Sequence, residues 1–151
     1  MKDIKRLKTK LKIRLACLVF GMLLALVSPP DYASSVIVNN AAGTDSVSLS
    51  EIRAIFSMRL RRWPNGTPVS VFVLKSDSPT HSDFCKTVLN IYPHQLQAAW
   101  DRMVYSGTGK APTVVSSEEE MRALVASTPG AIGYVADVKP GDTSVKEISL
   151  K

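Results

Sequence analysis

The sequence predicts an α/β domain in which a mixed central sheet is flanked by helices. Strand-like and helix-like segments alternate along the chain, which is the pattern of this fold class. The run 69–74, VSVFVL, has the apolar, β-branched composition of an interior strand covered on both faces, and AIGYV at 131–135 is a second run of that kind. The segment 36–151 is long enough for one small domain and too short for two.

The first 35 residues have the pattern of a Sec-type signal peptide. Basic residues dominate positions 1–14, and the apolar run 15–27, LACLVFGMLLALV, has the length of a signal core but is short for a membrane span. Ala33, Ser34 and Ser35 supply the small residues expected before a cut ahead of Val36. We therefore expect residues 1–35 to be removed and 36–151 to be periplasmic or secreted. An uncleaved segment that anchors the chain in the membrane is the alternative.

The positive charge of the chain comes from this leading segment. Seven of the 19 Lys and Arg and two of the 13 Asp and Glu lie before Val36, so the remainder carries a net charge of +1. A nucleic-acid partner requires a basic face on the mature domain, and the sequence therefore predicts no such partner.

The stretch from Val69 to Asn90 joins the buried strand to a polar loop and a helix. Ser78 is placed to cap that helix, with Pro79 at its first position. Ligands of α/β proteins bind at such strand ends, and the free N–H groups of a helix start suit an oxyanion. The loop 75–82 therefore has two interpretations: an anion site, or ordinary capping chemistry without a ligand.

Other start signals and strand patterns fix the remaining elements. Capping-box spacing at Ser48 and again at Ser116 predicts two helix starts, and Pro93 predicts a third. Strands are expected at 36–38, at an edge position around 114–115, and at 145–150. Gly133 lies inside a strand, which indicates either a close backbone approach or a bulge.

No combination of residues typical of an enzyme is found. His81 and His94 are interpreted as surface or loop histidines, and Cys85, the only cysteine of 36–151, as a packed thiol. The acidic run 118–120 is interpreted as a solvated first turn that complements the helix dipole. We expect no catalytic residue, no bound metal and no cofactor.

Three segments carry a family resemblance: LSEIRAIFSMRLRRWPNG at 49–66, VFVLKSDSPTHSDF at 71–84, and GKAPTVVSSEEEMRALVASTPGAIGYV at 109–135. Together they resemble the substrate-binding proteins of phosphate ABC transporters, which are type 2 periplasmic binding proteins. That family folds as two lobes that close on the ligand, and the segment 36–151 has the length of one lobe. The resemblance therefore implies a single lobe with a periplasmic-binding-protein-like fold.

The resemblance also implies a set of anion ligands. The family loop commonly reads RSDGSGT, and this chain reads KSDSPTH at 75–81. Lysine lacks the planar fork of arginine, and Pro79 removes a backbone donor, so we expect phosphate binding weaker than that of the family. The residues that the resemblance assigns to a phosphate-like anion are Lys75, Ser76, Asp77, Ser78 and Thr80.

Two functions follow from the resemblance. The first is an exported solute-binding protein that takes phosphate or a related oxyanion for ABC-type uptake, with a second lobe or a second copy of the chain completing the site. The second is an envelope scaffold or interaction module that keeps the fold without the ligand and binds another envelope protein. Neither function is enzymatic.

Overall fold

A five-stranded mixed sheet forms the centre of this computed structural model, which describes residues 34–139 and 141–151. The separate strands β2 and β7 form a parallel pair beside it. The order in the sheet is β4-β3-β5-β1-β6. The strands are β1 (Ser35–Val38), β2 (Ser46–Val47), β3 (Ser70–Leu74), β4 (Thr113–Val115), β5 (Ala131–Val135), β6 (Lys146–Glu147) and β7 (Ser149–Leu150).

Strand direction determines which ends of the strands meet. β3 is parallel to both β4 and β5, whereas β1 is antiparallel to β5 and β6. The predicted mixed sheet is therefore confirmed. The carboxyl ends of β3, β4 and β5 lie together at one edge, which we call the carboxyl edge of the sheet.

Four α-helices are found among the described residues, and most begin where the sequence predicts. Ser48 caps α1 with its partner Glu51 in a capping box, and Ser78 caps α2. The prediction at Ser116 was wrong by one residue, because Ser117 accepts the hydrogen bond from the backbone N–H of Glu120. The helices are α1 (Leu49–Phe56), α2 (Pro79–Phe84, continued by a π-helical turn at Cys85–Leu89), α3 (Pro93–Tyr105) and α4 (Glu118–Ser127).

Successive residues of β5 point to opposite faces of the sheet and meet different helices. Gly133 faces α4, where a β-carbon added at Gly133 would lie 2.3 Å from the sulfur of Met121, so the predicted close approach is confirmed. Tyr134 faces the other side and stacks on Phe84 with ring centroids 3.9 Å apart. Phe56 meets Phe84 edge-on at 4.8 Å. Both faces of the sheet are therefore covered, as the apolar runs of β3 and β5 require.

The carboxyl-terminal strand differs from the prediction. The segment 145–150 forms two short strands, β6 and β7, in different sheets instead of one strand. Val145, just before β6, and Ile148, between β6 and β7, are buried, whereas the residues of the two strands are largely exposed. The break at Ile148 lets the chain leave β1 and pair with β2, which a single straight strand could not do.

The predicted signal segment lies outside the described residues, except for Ser34 and Ser35 at its end. In residues 34–139 and 141–151, no helix combines the length and the apolar character that crossing a bilayer requires.

Candidate functional site

The five predicted anion ligands lie in the turn that connects β3 to α2 and in the first turn of α2, at the carboxyl edge of the sheet. Lys75, Ser76 and Asp77 form an exposed turn directly after Leu74. Ser78 and Thr80 follow as the cap and the first turn of α2. The sequence thus predicted their common location, but their side chains are used in different ways.

Three of the five residues share one cleft. Lys75, Ser76 and Asp77 line a cleft of about 350 Å³ whose other walls come from β3, β4, α2 and α3. A cation and a hydroxyl at the end of a buried strand can both donate to an oxyanion, and the carboxylate can accept from a protonated ligand oxygen. The remaining lining residues are Val73, Leu74, His81, Gln97, Trp100 and Val114.

The hydroxyl of Ser78 serves the helix. Its oxygen accepts a hydrogen bond from the backbone N–H of His81 at 3.4 Å, and the Ser78 N–H donates to the carbonyl of Lys75 at 3.0 Å. Pro79 has no N–H to offer. This is the capping arrangement that the sequence also allowed, and it gives the His81 N–H a partner without a ligand.

Thr80 is directed away from the cleft and toward α4. Its hydroxyl donates to Oε1 of Glu118 at 2.9 Å, and the backbone N–H of Ala136 donates to Oε2 of the same carboxylate at 3.2 Å. Glu118 also forms an ion pair with Arg122, at 3.6 Å, and its side chain is 24% exposed. The interpretation of Glu118 as part of a solvated turn was therefore wrong: it bridges α2, α4 and the end of β5.

A second pocket lies on the Thr80 side of the loop. Its volume is about 420 Å³, and its lining includes Ser34, Thr80, Asp83, Lys86 and Ala136. The predicted set is thus divided between a cleft that holds Lys75, Ser76 and Asp77 and a pocket that holds Thr80.

His81 is not the surface histidine that the sequence indicated, because only 2% of it is exposed. Its Nδ1 is hydrogen-bonded to the Tyr134 hydroxyl, and its Nε2 lies 3.6 Å from the sulfur of Cys85. Burial lowers the pKa of His81 and raises that of Cys85 to about 12. Cys85 is therefore a packed, protonated thiol, as predicted, and His94 is exposed, as predicted.

Within the described residues, no three His, Cys, Asp or Glu side chains come together as a set of ligands.

Sequence reasoning missed Glu118, Arg122 and the N–H of Ala136 as members of the site. One signal could have found Glu118: it begins the helix that follows β4, and β4 was expected to lie at the sheet edge. Parallel strands bring their carboxyl ends together, so helix starts that follow them become neighbours. That inference requires knowing that β4 pairs with β3, which no local pattern states.

No protein-family model matches the sequence, and no curated protein matches it. Solved structures do match in fold. An ABC-type phosphate transport receptor from Vibrio cholerae is 18% identical and superposes with a TM-score of 0.58 over 78% of this chain and 45% of its own. A phosphate ABC transporter substrate-binding protein from Clostridium perfringens, with bound phosphate, is 16% identical, with a TM-score of 0.62 over 78% and 44%.

A third match, PstS from Borrelia burgdorferi, is 15% identical, with a TM-score of 0.59 over 79% of this chain and 47% of its own. The chain therefore spans less than half the length of these structures. At such identities the likeness is one of fold, and the described residues have the fold of one lobe of a periplasmic binding protein.

Proposed function

We propose that this protein is an exported solute-binding-like protein whose cleft at the end of β3 takes phosphate or a related oxyanion for ABC-type uptake. The observation that carries the proposal is the position of Lys75 and Ser76 in the cleft at the carboxyl edge of the sheet. That edge is where open α/β sheets bind ligands. The named structural neighbours are phosphate transport proteins, one of them with bound phosphate, which supports a non-enzymatic anion-binding role.

The residues have separate roles in the proposal. Lys75 supplies the cation, and Ser76 supplies a hydroxyl donor. Asp77 accepts a hydrogen bond from a protonated phosphate oxygen, which sulfate does not carry at neutral pH. Ser78 can donate its hydroxyl hydrogen while its oxygen still caps α2, whereas Thr80 contributes nothing while it is bonded to Glu118.

The first prediction is that phosphate binding by the monomer is weak. An exposed charge contact is typically worth about 0.2 to 1 kcal/mol, so a few contacts in an open cleft give an affinity of about 1 mM or weaker. Calorimetry or an NMR titration of the purified protein at low salt measures it. We expect Lys75→Ala to weaken binding several-fold, added salt to weaken it further, and sulfate to bind less well than phosphate.

The matched control for Lys75→Ala is Lys110→Ala. Lys110 is also exposed, but it lies ahead of β4, toward the opposite edge of the sheet, so its loss should leave the affinity unchanged. Micromolar binding by a proven monomer would contradict the open-cleft proposal. Tight binding found only in a dimer would indicate that a second copy supplies the missing wall.

A second function is favoured by one specific observation. The Thr80 hydroxyl donates to Glu118 and so is not available to an anion, which is the state expected of an envelope scaffold that keeps the lobe without its ligand. The scaffold function would be selected if tens of millimolar phosphate produced no heat and no NMR shift, and if Lys75→Ala behaved like the unsubstituted protein in the same titrations. Such a module would act through another envelope protein.

We also propose export to the periplasm, on the basis of the basic and apolar leading segment and of the transport roles of the structural neighbours.

A further inference from the structure

The Glu118 carboxylate is held in the way that proteins hold a bound oxyanion. Each of its oxygens accepts a hydrogen bond from a different element: Oε1 from the Thr80 hydroxyl of α2 at 2.9 Å, and Oε2 from the N–H of Ala136, just after β5, at 3.2 Å. A hydroxyl and a backbone N–H that converge on two oxygens of one anion are a common oxyanion arrangement.

Arg122 completes the donor set. One of its terminal nitrogens lies 3.6 Å from Glu118 Oε2 and donates to the carbonyl of Asp137 at 2.6 Å, which fixes the guanidinium beside the carboxylate. The Arg122 side chain is only 12% exposed, and its Nε has no hydrogen-bond partner within the described part of the chain. A mostly buried guanidinium strengthens any anion contact, because little water competes with it.

The location of this donor set relates it to the predicted anion loop. Thr80 is one of the five residues that the sequence assigned to the anion, and Ala136 follows the strand beside β3. Glu118 therefore bonds to a residue that was predicted as an anion ligand, and it places a negative charge beside the loop that carries Lys75.

We propose that Glu118 is a built-in anionic ligand: its carboxylate fills the donor set of Thr80, Arg122 and the Ala136 N–H and keeps external oxyanions out of it. This inference deepens the proposed function. It rests on that function only where it names phosphate or a related oxyanion as the natural ligand. Glu118 confines external anions to the Lys75 cleft and lowers the affinity there by its charge.

The donor set can be tested directly by removing the Glu118 side chain and supplying acetate, a free carboxylate, in its place. In Glu118→Ala the hydroxyl, the amide and the guanidinium lose their anion, and acetate can restore it. We expect acetate to raise the thermal midpoint of Glu118→Ala by about 2 to 4 °C more than that of the unsubstituted protein. The amide resonance of Ala136 should move in the same titration and should stop responding when Arg122→Gln is added.

Glu119→Ala is the matched control, because Glu119 carries the same charge in the same helical turn but is exposed. An acetate response of Glu118→Ala no larger than that of Glu119→Ala would overturn the proposal. The acetate response does not depend on Lys75. If the unsubstituted protein binds no phosphate, the proposed function is wrong, but the acetate response of Glu118→Ala still tests the donor set.

A second variant covers the case in which Glu118→Ala does not fold. Glu118→Gln keeps the shape of the side chain and one carbonyl acceptor but removes the charge. Phosphate should then bind more tightly than to the control Glu119→Gln, by up to about fivefold, since removal of a nearby like charge is worth at most about that factor. Equal affinities of the two variants would overturn the proposal.

Discussion

Tyr134 connects the sheet to α2 through a single hydroxyl. The hydroxyl oxygen accepts a hydrogen bond from the backbone N–H of Leu74 at 2.9 Å, so its hydrogen is free to be donated to Nδ1 of His81. When the Tyr134 hydroxyl donates to Nδ1, His81 is neutral with its proton on Nε2, which faces the sulfur of Cys85. Burial raises the pKa of Tyr134 as well, so all three side chains are uncharged near neutral pH.

The second prediction is that His81 makes the protein less stable in mild acid. Its pKa is lower in the folded state than the ordinary value of 6.5, so the unfolded chain binds the proton first as pH falls. The stability that the neutral, buried imidazole contributes is fully present above pH 6.5 and is lost as pH falls from that value toward the lower folded pKa, because only the unfolded chain is protonated in that range. Urea unfolding at a series of pH values between 7.5 and 5 measures this loss.

The matched control uses the other histidine. His81→Gln should flatten the pH dependence of the free energy of unfolding in this range, whereas His94→Gln should preserve it, because His94 is exposed. Equal pH slopes for His81→Gln and the unsubstituted protein would show that the buried imidazole does not carry the effect.

At the scale of elements, β5 and α4 approach each other because Gly133 has no side chain. The nearest atoms to an added β-carbon would be Sδ and Cγ of Met121, at 2.3 and 3.1 Å, and Cγ2 of Val125 at 3.2 Å. Met121 is flexible enough to move, but Val125 is β-branched and held in the core. The entropy lost by a strand glycine is therefore offset by close packing of helix on sheet.

The third prediction is that Gly133→Ala destabilises the protein by about 1 to 3 kcal/mol through overpacking. Denaturant unfolding should show a lower midpoint with an unchanged slope. Gly109→Ala is the control, because the nearest atom to its added β-carbon is an Arg61 side-chain nitrogen at 3.4 Å. In a double-mutant cycle, Met121→Ala should recover part of the loss at Gly133, and strict additivity would contradict the direct contact.

At the scale of the whole molecule, the first described residues already belong to the fold. Ser34 donates to Oδ2 of Asp83 at 3.1 Å, and Ser35 pairs with Val135 at the start of β1. The predicted cut ahead of Val36 would remove both residues from the domain. The signal assignment itself stays a prediction, because residues 1–33 lie outside the described part.

The fourth prediction concerns processing. Mature protein from envelope fractions should begin near Val36, as the small residues at 33–35 indicate. Intact mass and amino-terminal sequencing measure this. Protein that retains Met1 and resists salt extraction from membranes would instead show an uncleaved anchor. A cut at Val36 removes the contacts of Ser34 and Ser35. A chain that begins at Ser34 should therefore have a higher thermal midpoint than a chain that begins at Val36.

The sequence by itself determined the main strands and helices and their order, but not β2 or the division of 145–150 into β6 and β7. Apolar runs identified β3 and β5, and caps at Ser48 and Ser78 and the proline at Pro93 marked three helix starts. These features depend on residues within a few positions of one another, so they can be read without the fold. The location of the anion loop at a strand end followed for the same reason.

Only the tertiary structure decided what each side chain of the loop does. Thr80 meets Glu118 across 38 positions of sequence, and His81 meets Tyr134 across 53. Neither pairing leaves a local pattern, because both depend on β3 lying between β4 and β5, which brings separate helix starts and strand ends to one edge. The sequence therefore predicts where an anion would bind, and the fold shows that the Thr80 hydroxyl of this predicted loop is already bonded to Glu118.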